Sequence, residues 1–308
     1  MVMRSIRQGS RIGIISPATT VREEYIDGAV RMLASRGYEG VVMPHARGPA
    51  DGSYASSARN RLDDFMAAWC DPDIDAVLCA RGGYGAAHLL PDLPPETIRQ
   101  NAKWLIGFSD ISAFHACLTS LGIESLHAPM AKHLCENPDN RATHALFHIL
   151  EGGRMEYMLD VAEEHLGVTS GYAEGRLLGG NLAVLDGLAA TPFDMLARPL
   201  TEDVILFIED IAEPIYKVER MLWRLYLSGA LSKVKGLIVG RFTDYKPSLN
   251  FNTMEEMIMS LTRRTGFAGI PVVYNFPVGH VDDNLPLVEG ARVALSVTSG
   301  TVRLSQLI

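Results

Sequence analysis

Paired cysteines, basic clusters and long apolar runs are all missing from this 308-residue chain, and each absence removes a class of function. The four cysteines, Cys70, Cys79, Cys117 and Cys135, have no C-x-x-C spacing, so neither a disulfide framework nor a thiolate zinc site is expected. Lys and Arg total 28 against 36 Asp and Glu, giving a net charge of −8, and the basic residues are scattered singly. Without a basic stripe to neutralise phosphates, nucleic acid is not an expected partner. No stretch approaches the roughly 20 apolar residues that span a bilayer. Met1 to Arg11 carries charge but leads into no signal-peptide run. A reduced, cytoplasmic setting without membrane contact is therefore expected. Internal repeats and low-complexity tracts are also lacking. What is present is 47% hydrophobic residues, enough for a sizeable core in two domains.

The hydrophobic pattern divides the chain. Residues 11–16 read as a short buried strand broken by Pro17, and a helical pattern runs from Glu23 to Arg36 before Gly37. Strands are expected at 40–43, 75–80, 104–107 and 122–126. A helix over 56–69 carries Leu62, Phe65, Met66 and Trp69 on one face. This alternation predicts an α/β domain over residues 1–152, with a mostly parallel sheet flanked by helices. Residues 153–174 lose their periodicity after Gly152-Gly153 and read as a linker. From residue 175 to 308 the pattern is strand-rich, which predicts an α+β domain or a small sandwich.

Two segments follow strand ends, where open parallel sheets gather ligand-facing residues. One is Gly107-Phe108-Ser109-Asp110, in which an apolar strand hands a serine to a helix through a glycine turn, as in a nucleophile elbow. The plain alternative is that Ser109 caps the helix. The other is Arg81-Gly82-Gly83-Tyr84-Gly85, whose bare backbone, with the Asp110 amide, is suited to holding an oxyanion. Its rivals are a nucleotide-phosphate loop, for which the GxGxxG and GK[ST] spacings are lacking, and a simple tight turn.

A serine nucleophile needs a base. His115 lies six residues along the helix and points about 240° away from Ser109. His144 and His148 have i, i+4 spacing, but no third ligand is evident and no metal is expected. His127, at a strand end, is a candidate crevice-lining residue. His280, in the loop after the strand at 272–274, is a candidate base. For the orienting carboxylate, Glu209 ends the apolar run 204–208, with Asp210, Glu213 and Glu219 as rivals. Arg81, Lys217 and Arg241 are candidate cations for a substrate carboxylate.

Taken together, Ser16-Pro17-Ala18, the Arg81 to Gly85 turn, Gly107 to Asp110, Gly179-Gly180-Asn181-Leu182, Phe207 to Ile211, and Gly279-His280 with Asn284-Leu285-Pro286-Leu287 resemble the LD-carboxypeptidase family of serine peptidases. That family also contains the microcin C self-immunity peptidases. The resemblance spans nearly the whole chain and departs at Ser53-Tyr54-Ala55-Ser56, where members often carry aromatic-Gly-Thr-Asp. It implies a Ser109, Glu209, His280 triad at the domain junction. The oxyanion hole would come from the Asp110 amide and the Arg81-Gly82-Gly83 turn; the candidate substrate-binding residues beside it, Arg81 and His127, are those read above from their places in the chain. It further implies a cytoplasmic homodimer with no cofactor, hydrolysing murein tetrapeptides before a terminal D-alanine during peptidoglycan recycling. The rival within the family cleaves acylated sulfamoyl-adenylates, stacking the base on a tryptophan-bearing loop. This chain has no tryptophan between Asn181 and Glu209. A non-catalytic binding protein on the same scaffold is the third reading.

Overall fold

The computed structural model describes residues 3–196, 202–265, 267 and 269–307. The chain divides into two units, the first comprising 1–153 and 282–288 and the second 154–281 and 289–308. The first carries strands β1 (Arg11–Ile15), β2 (Glu39–Val42), β3 (Ala76–Cys79), β4 (Trp104–Gly107) and β5 (Ser125–His127). Its helices are α1 (Glu23–Ser35), α2 (Ala58–Cys70), α3 (Pro95–Gln100), α4 (Ser112–Ser120), α5 (Ala131–Glu136) and α6 (Arg141–Leu150). β5, β4, β3, β1 and β2 lie side by side, all parallel. β3, β4 and β5 are buried at every position, which is why they read as continuous apolar runs rather than alternating ones. Helices supply the other half of the core, as where Phe65 of α2 stacks on Trp69 and meets Phe114 of α4.

The second unit is built on β6 (Glu156–Asp160), β7 (Gly167–Thr169), β8 (Gly171–Asn181), β9 (Val204–Ile211), β10 (Val234–Thr243), β11 (Val272–Tyr274), β13 (Arg292–Val297) and β14 (Thr301–Gln306), with β12 (Leu287–Glu289) joining the sheet of the first unit beside β5. Its helices are α7 (Leu182–Gly187), α8 (Ile215–Leu227) and α9 (Met254–Thr262). The order is β6-β14-β13-β8-β9-β10-β11-β7, one mixed sheet of eight strands rather than a sandwich. β8 to β11 run parallel, so Asn181, Glu209 and the loop after Tyr274 all fall at carboxyl ends. The architecture is thus α/β in the first unit and strand-rich α+β in the second.

Two expected boundaries shift. Residues 153–174, read as a linker, contribute β6 and β7. β6 alternates exposed and buried positions over only five residues, too short for its period to stand out among the surrounding polar residues. The return of 282–288 to the first unit is a long-range event that local periodicity does not encode. Among the described residues, no helix is long and apolar enough to cross a membrane.

Candidate active site

In the first unit, the chain turns sharply between β4 and α4. Phe108 is extended at φ −151°, and Ser109 follows at φ +63°, a left-handed conformation uncommon for a side-chain-bearing residue. The tight turn expected at Gly107 therefore falls on Ser109. Gly107 contributes its bareness, since a Cβ there would lie 3.0 Å from both Cγ atoms of Ile111. The N-caps of the short 3-10 turn at Ser109–Ile111 and of α4 are Phe108 and Ile111, so Ser109 is not the cap residue of either. A left-handed, side-chain-bearing residue between a strand and a helix is the backbone geometry of a sharp strand-to-helix elbow.

The glycine-rich turn after β3 lies against this elbow. A Cβ on Gly82 would stand 2.9 Å from Ser109 Cβ and 3.2 Å from its Oγ, so only glycine allows the approach. Gly83 and Gly85 take φ of +115° and +109°. The Tyr84 amide between them donates to Thr19 Oγ1 at 2.9 Å. The Asp110 carboxylate accepts from the Ala86 amide at 2.8 Å and so ties the turn to the elbow. Asp110 is 5% exposed, and burial pushes its pKa above the usual carboxylate range against the opposing effects of the Ala86 amide, His88 and Arg61. Tyr84, 61% exposed, forms a three-ring cluster with Tyr54 and His88.

Arg61 is a residue the sequence reading missed. Its buried guanidinium donates to the carbonyls of Pro17 at 2.6 Å, Gly85 at 3.0 Å and Ser56 at 3.0 Å, clamping three strand-end loops together. Burial lowers its pKa. The signal was present: Arg61 stands four residues before Phe65 and eight before Trp69, an arginine on the apolar stripe of α2.

In the second unit, Glu209 and His280 meet. Glu209 Oε2 lies 2.8 Å from His280 Nδ1, with the carboxylate wholly buried and the imidazole 17% exposed. Gly279 makes room, at φ +114°, because a Cβ there would lie 2.8 Å from Glu209 Oε2. Asp210 faces other groups, accepting from Asn181 Nδ2 at 2.9 Å, the Ala183 amide at 2.9 Å and the Ile211 amide at 2.8 Å. Burial and then the neighbouring Glu209 charge push its pKa up to about 6. Glu213 pairs with Lys217 at 3.4 Å.

The remaining candidates are dispersed. Arg81 donates to the Thr20 carbonyl at 3.2 Å and stays exposed, while Arg241 reaches the Glu164 carbonyl at 3.5 Å. His127 does not present a surface to a crevice: it has no exposure, and its ring packs by Phe108 and His115. His115 is also fully buried, bonded to Ser125 Oγ and the Gly107 carbonyl, both at 2.8 Å, so it braces the end of β4 instead of facing Ser109. Burial lowers its pKa to about 4. Among the described residues no group of His, Cys, Asp and Glu is placed to hold a metal.

Comparison with known proteins matches both halves of the chain. Residues 12–128 fit the LD-carboxypeptidase N-terminal domain and residues 174–295 the LD-carboxypeptidase C-terminal domain. A candidate carboxypeptidase of Synechocystis sp. is 35% identical, covering 96% of this chain and 95% of that protein. The murein tetrapeptide carboxypeptidase of Pseudomonas aeruginosa is 32% identical over 89% of each. The crystal structure of muramoyltetrapeptide carboxypeptidase from Oxalobacter formigenes superposes with a TM-score of 0.85 at 31% identity, covering 96% of this chain and 98% of that one.

Proposed function

This chain belongs to the LD-carboxypeptidase family of serine peptidases, and from that premise we propose that it removes the terminal D-amino acid of a murein tetrapeptide using Ser109, His280 and Glu209. The observation that carries the assignment is the wholly buried Glu209 on Nδ1 of His280. A carboxylate there fixes the imidazole tautomer with Nε2 as the proton acceptor and stabilises the imidazolium that forms.

In the proposed reaction, His280 Nε2 takes the Ser109 proton as Oγ attacks the amide carbonyl between the L-centre and the D-residue. The tetrahedral oxyanion accepts hydrogen bonds from the Asp110 amide and from Gly82 or Gly83. Collapse breaks the C–N bond, and His280 returns the proton to the leaving amine. Water, deprotonated by His280, then hydrolyses the acyl-enzyme and restores the serine. Arg81 is assigned to the terminal carboxylate of the substrate. A cytoplasmic homodimer working in peptidoglycan recycling belongs to the same proposal, and light scattering checks its mass.

Mass spectrometry after incubation with a murein tetrapeptide should show loss of one D-alanine, abolished in Ser109→Ala. Full activity in Ser109→Ala sinks the triad. Cleavage of an aminoacyl-sulfamoyl nucleotide but not of the tetrapeptide moves the chain to the immunity-type reading. Turnover of neither, with no labelling of Ser109 by a fluorophosphonate, favours a binding protein.

A further inference from the structure

A pocket of about 230 Å³ opens in the second unit, lined in part by Gly240, Phe242, Tyr245, Glu255, Tyr274 and Asn275. Most of its polar groups are engaged within the protein. Tyr245 accepts from the Met254 amide at 3.1 Å, and the Tyr274 hydroxyl shares a hydrogen bond with Thr262 at 2.9 Å. Glu255 differs. Its Oε2 accepts from Asn275 Nδ2 at 2.7 Å, and no Lys, Arg or His among the described residues pairs with it. The carboxylate is half-buried, and one neutral amide offsets only part of the cost of taking a negative charge from water. An acid in the first turn of α9 is favoured by the helix dipole, but capping there is already served by Thr253 and Glu256. Gly167 keeps the space clear, since a Cβ there would lie 2.5 Å from Glu255 Oε1.

The pocket also lies beside Glu209, on the neighbouring strand. Gly240 lines it, and a Cβ on Gly240 would stand 2.6 Å from Val278 Cγ1 and 3.2 Å from Glu209 Cβ, so this bare residue lies against the backbone and side chains that carry the Glu209–His280 pair. His280 follows Asn275, which orients Glu255, by five positions in the chain. Resting on the murein-peptide reading above, we propose that Glu255 and Asn275 form a specificity pocket for a cationic amine, a free side-chain ammonium on the substrate residue whose L-centre flanks the scissile bond. A carboxylate held by an amide, with no cation paired to it among the described residues, selects a charged amine over a neutral or acylated one.

The test compares two tetrapeptides, identical except that the side-chain amine is free in one and N-acetylated in the other. Wild-type enzyme is expected to favour the free amine by about tenfold to a hundredfold in kcat/KM, the range of a charge-assisted hydrogen bond. In Glu255→Gln that ratio should collapse toward one. Equal kcat/KM for the two peptides in wild type overturns the pocket while leaving the carboxypeptidase reading intact, and needs no variant to fold. An unchanged ratio in a folded Glu255→Gln protein overturns it as well. Hydrolysis of neither peptide by wild type removes the murein reading and the pocket's role with it.

Discussion

Replacing Glu209 with glutamine keeps the shape of the side chain and removes its charge. In the folded protein the carboxylate has no exposure and lies 2.8 Å from His280 Nδ1. Two effects follow. First, the imidazolium that the proposed reaction forms in its transition state loses its counter-charge, worth about 4 kcal/mol at a separation of roughly 4 Å with an effective dielectric of about 20. Second, the glutamine amide can donate to Nδ1, which leaves the proton on Nε2 and the ring unable to accept from serine. Together these predict a fall in kcat of roughly 10³ to 10⁴, about 4 to 5.5 kcal/mol in the barrier, with KM little changed. Removing a buried charge should not unfold the protein, so thermal unfolding should stay near wild type. Release of D-alanine at saturating substrate reads kcat. The same variant lowers the Asp210 pKa from about 6, because the Glu209 charge is one of the two effects that raise it, readable by carboxyl carbon NMR. A folded Glu209→Gln enzyme within tenfold of wild type refutes the assignment of Glu209 to His280 as its catalytic partner.

Further predictions address the supports of the site. Asp110→Ala leaves the Ala86 amide without its acceptor and frees the glycine-rich turn from the elbow; stability should fall by about 1 to 3 kcal/mol and kcat should fall too, while Asp110→Asn, which keeps an acceptor, should lose less. Gly279→Ala forces a Cβ toward Glu209 Oε2 at φ +114°, and chemical denaturation should show a loss of roughly 1 to 3 kcal/mol together with lost activity. His115 should titrate near 4 in the folded protein by NMR. Since its folded pKa is depressed below 6.5, its contribution to stability is present above that value and is lost as pH falls toward 4, by about 3 kcal/mol in all; a measured pKa near 6.5 contradicts the buried placement. Arg81→Ala should raise KM for a peptide acid far more than for the matching amide, and equal effects count against its role at the carboxylate.

Much of this architecture can be read from local pattern. β1, β3 and β4 announce themselves as apolar runs, β1 ended by serine and proline, β4 by glycine and β3 running on to Arg81-Gly82-Gly83, because a strand covered on both faces has no polar side to interrupt it. The turn at Arg81 to Gly85 and the segment at Gly107 to Asp110 stand at carboxyl ends for the same reason. β6 and β7 escaped notice because a short strand with one solvated face has little hydrophobic content, and its place is fixed by neighbours such as β14, more than 140 residues away. Arg61 was obscured because a charged residue on a helix counts as surface until the carbonyls it serves are known.

By itself, then, the sequence determined the alternation of elements, the glycine punctuation and the residue types available for chemistry, since these follow from side-chain size, polarity and backbone freedom over a few positions. Only the tertiary structure decided which of two adjacent acids meets the histidine. Glu209 and Asp210 follow one another on β9, and successive side chains of a strand point to opposite faces. The fold turns Glu209 to His280 and Asp210 to Asn181 at the head of α7. No local pattern carries that choice, because it is made by Gly279 and Gly240, brought beside Glu209 from loops and strands distant in sequence.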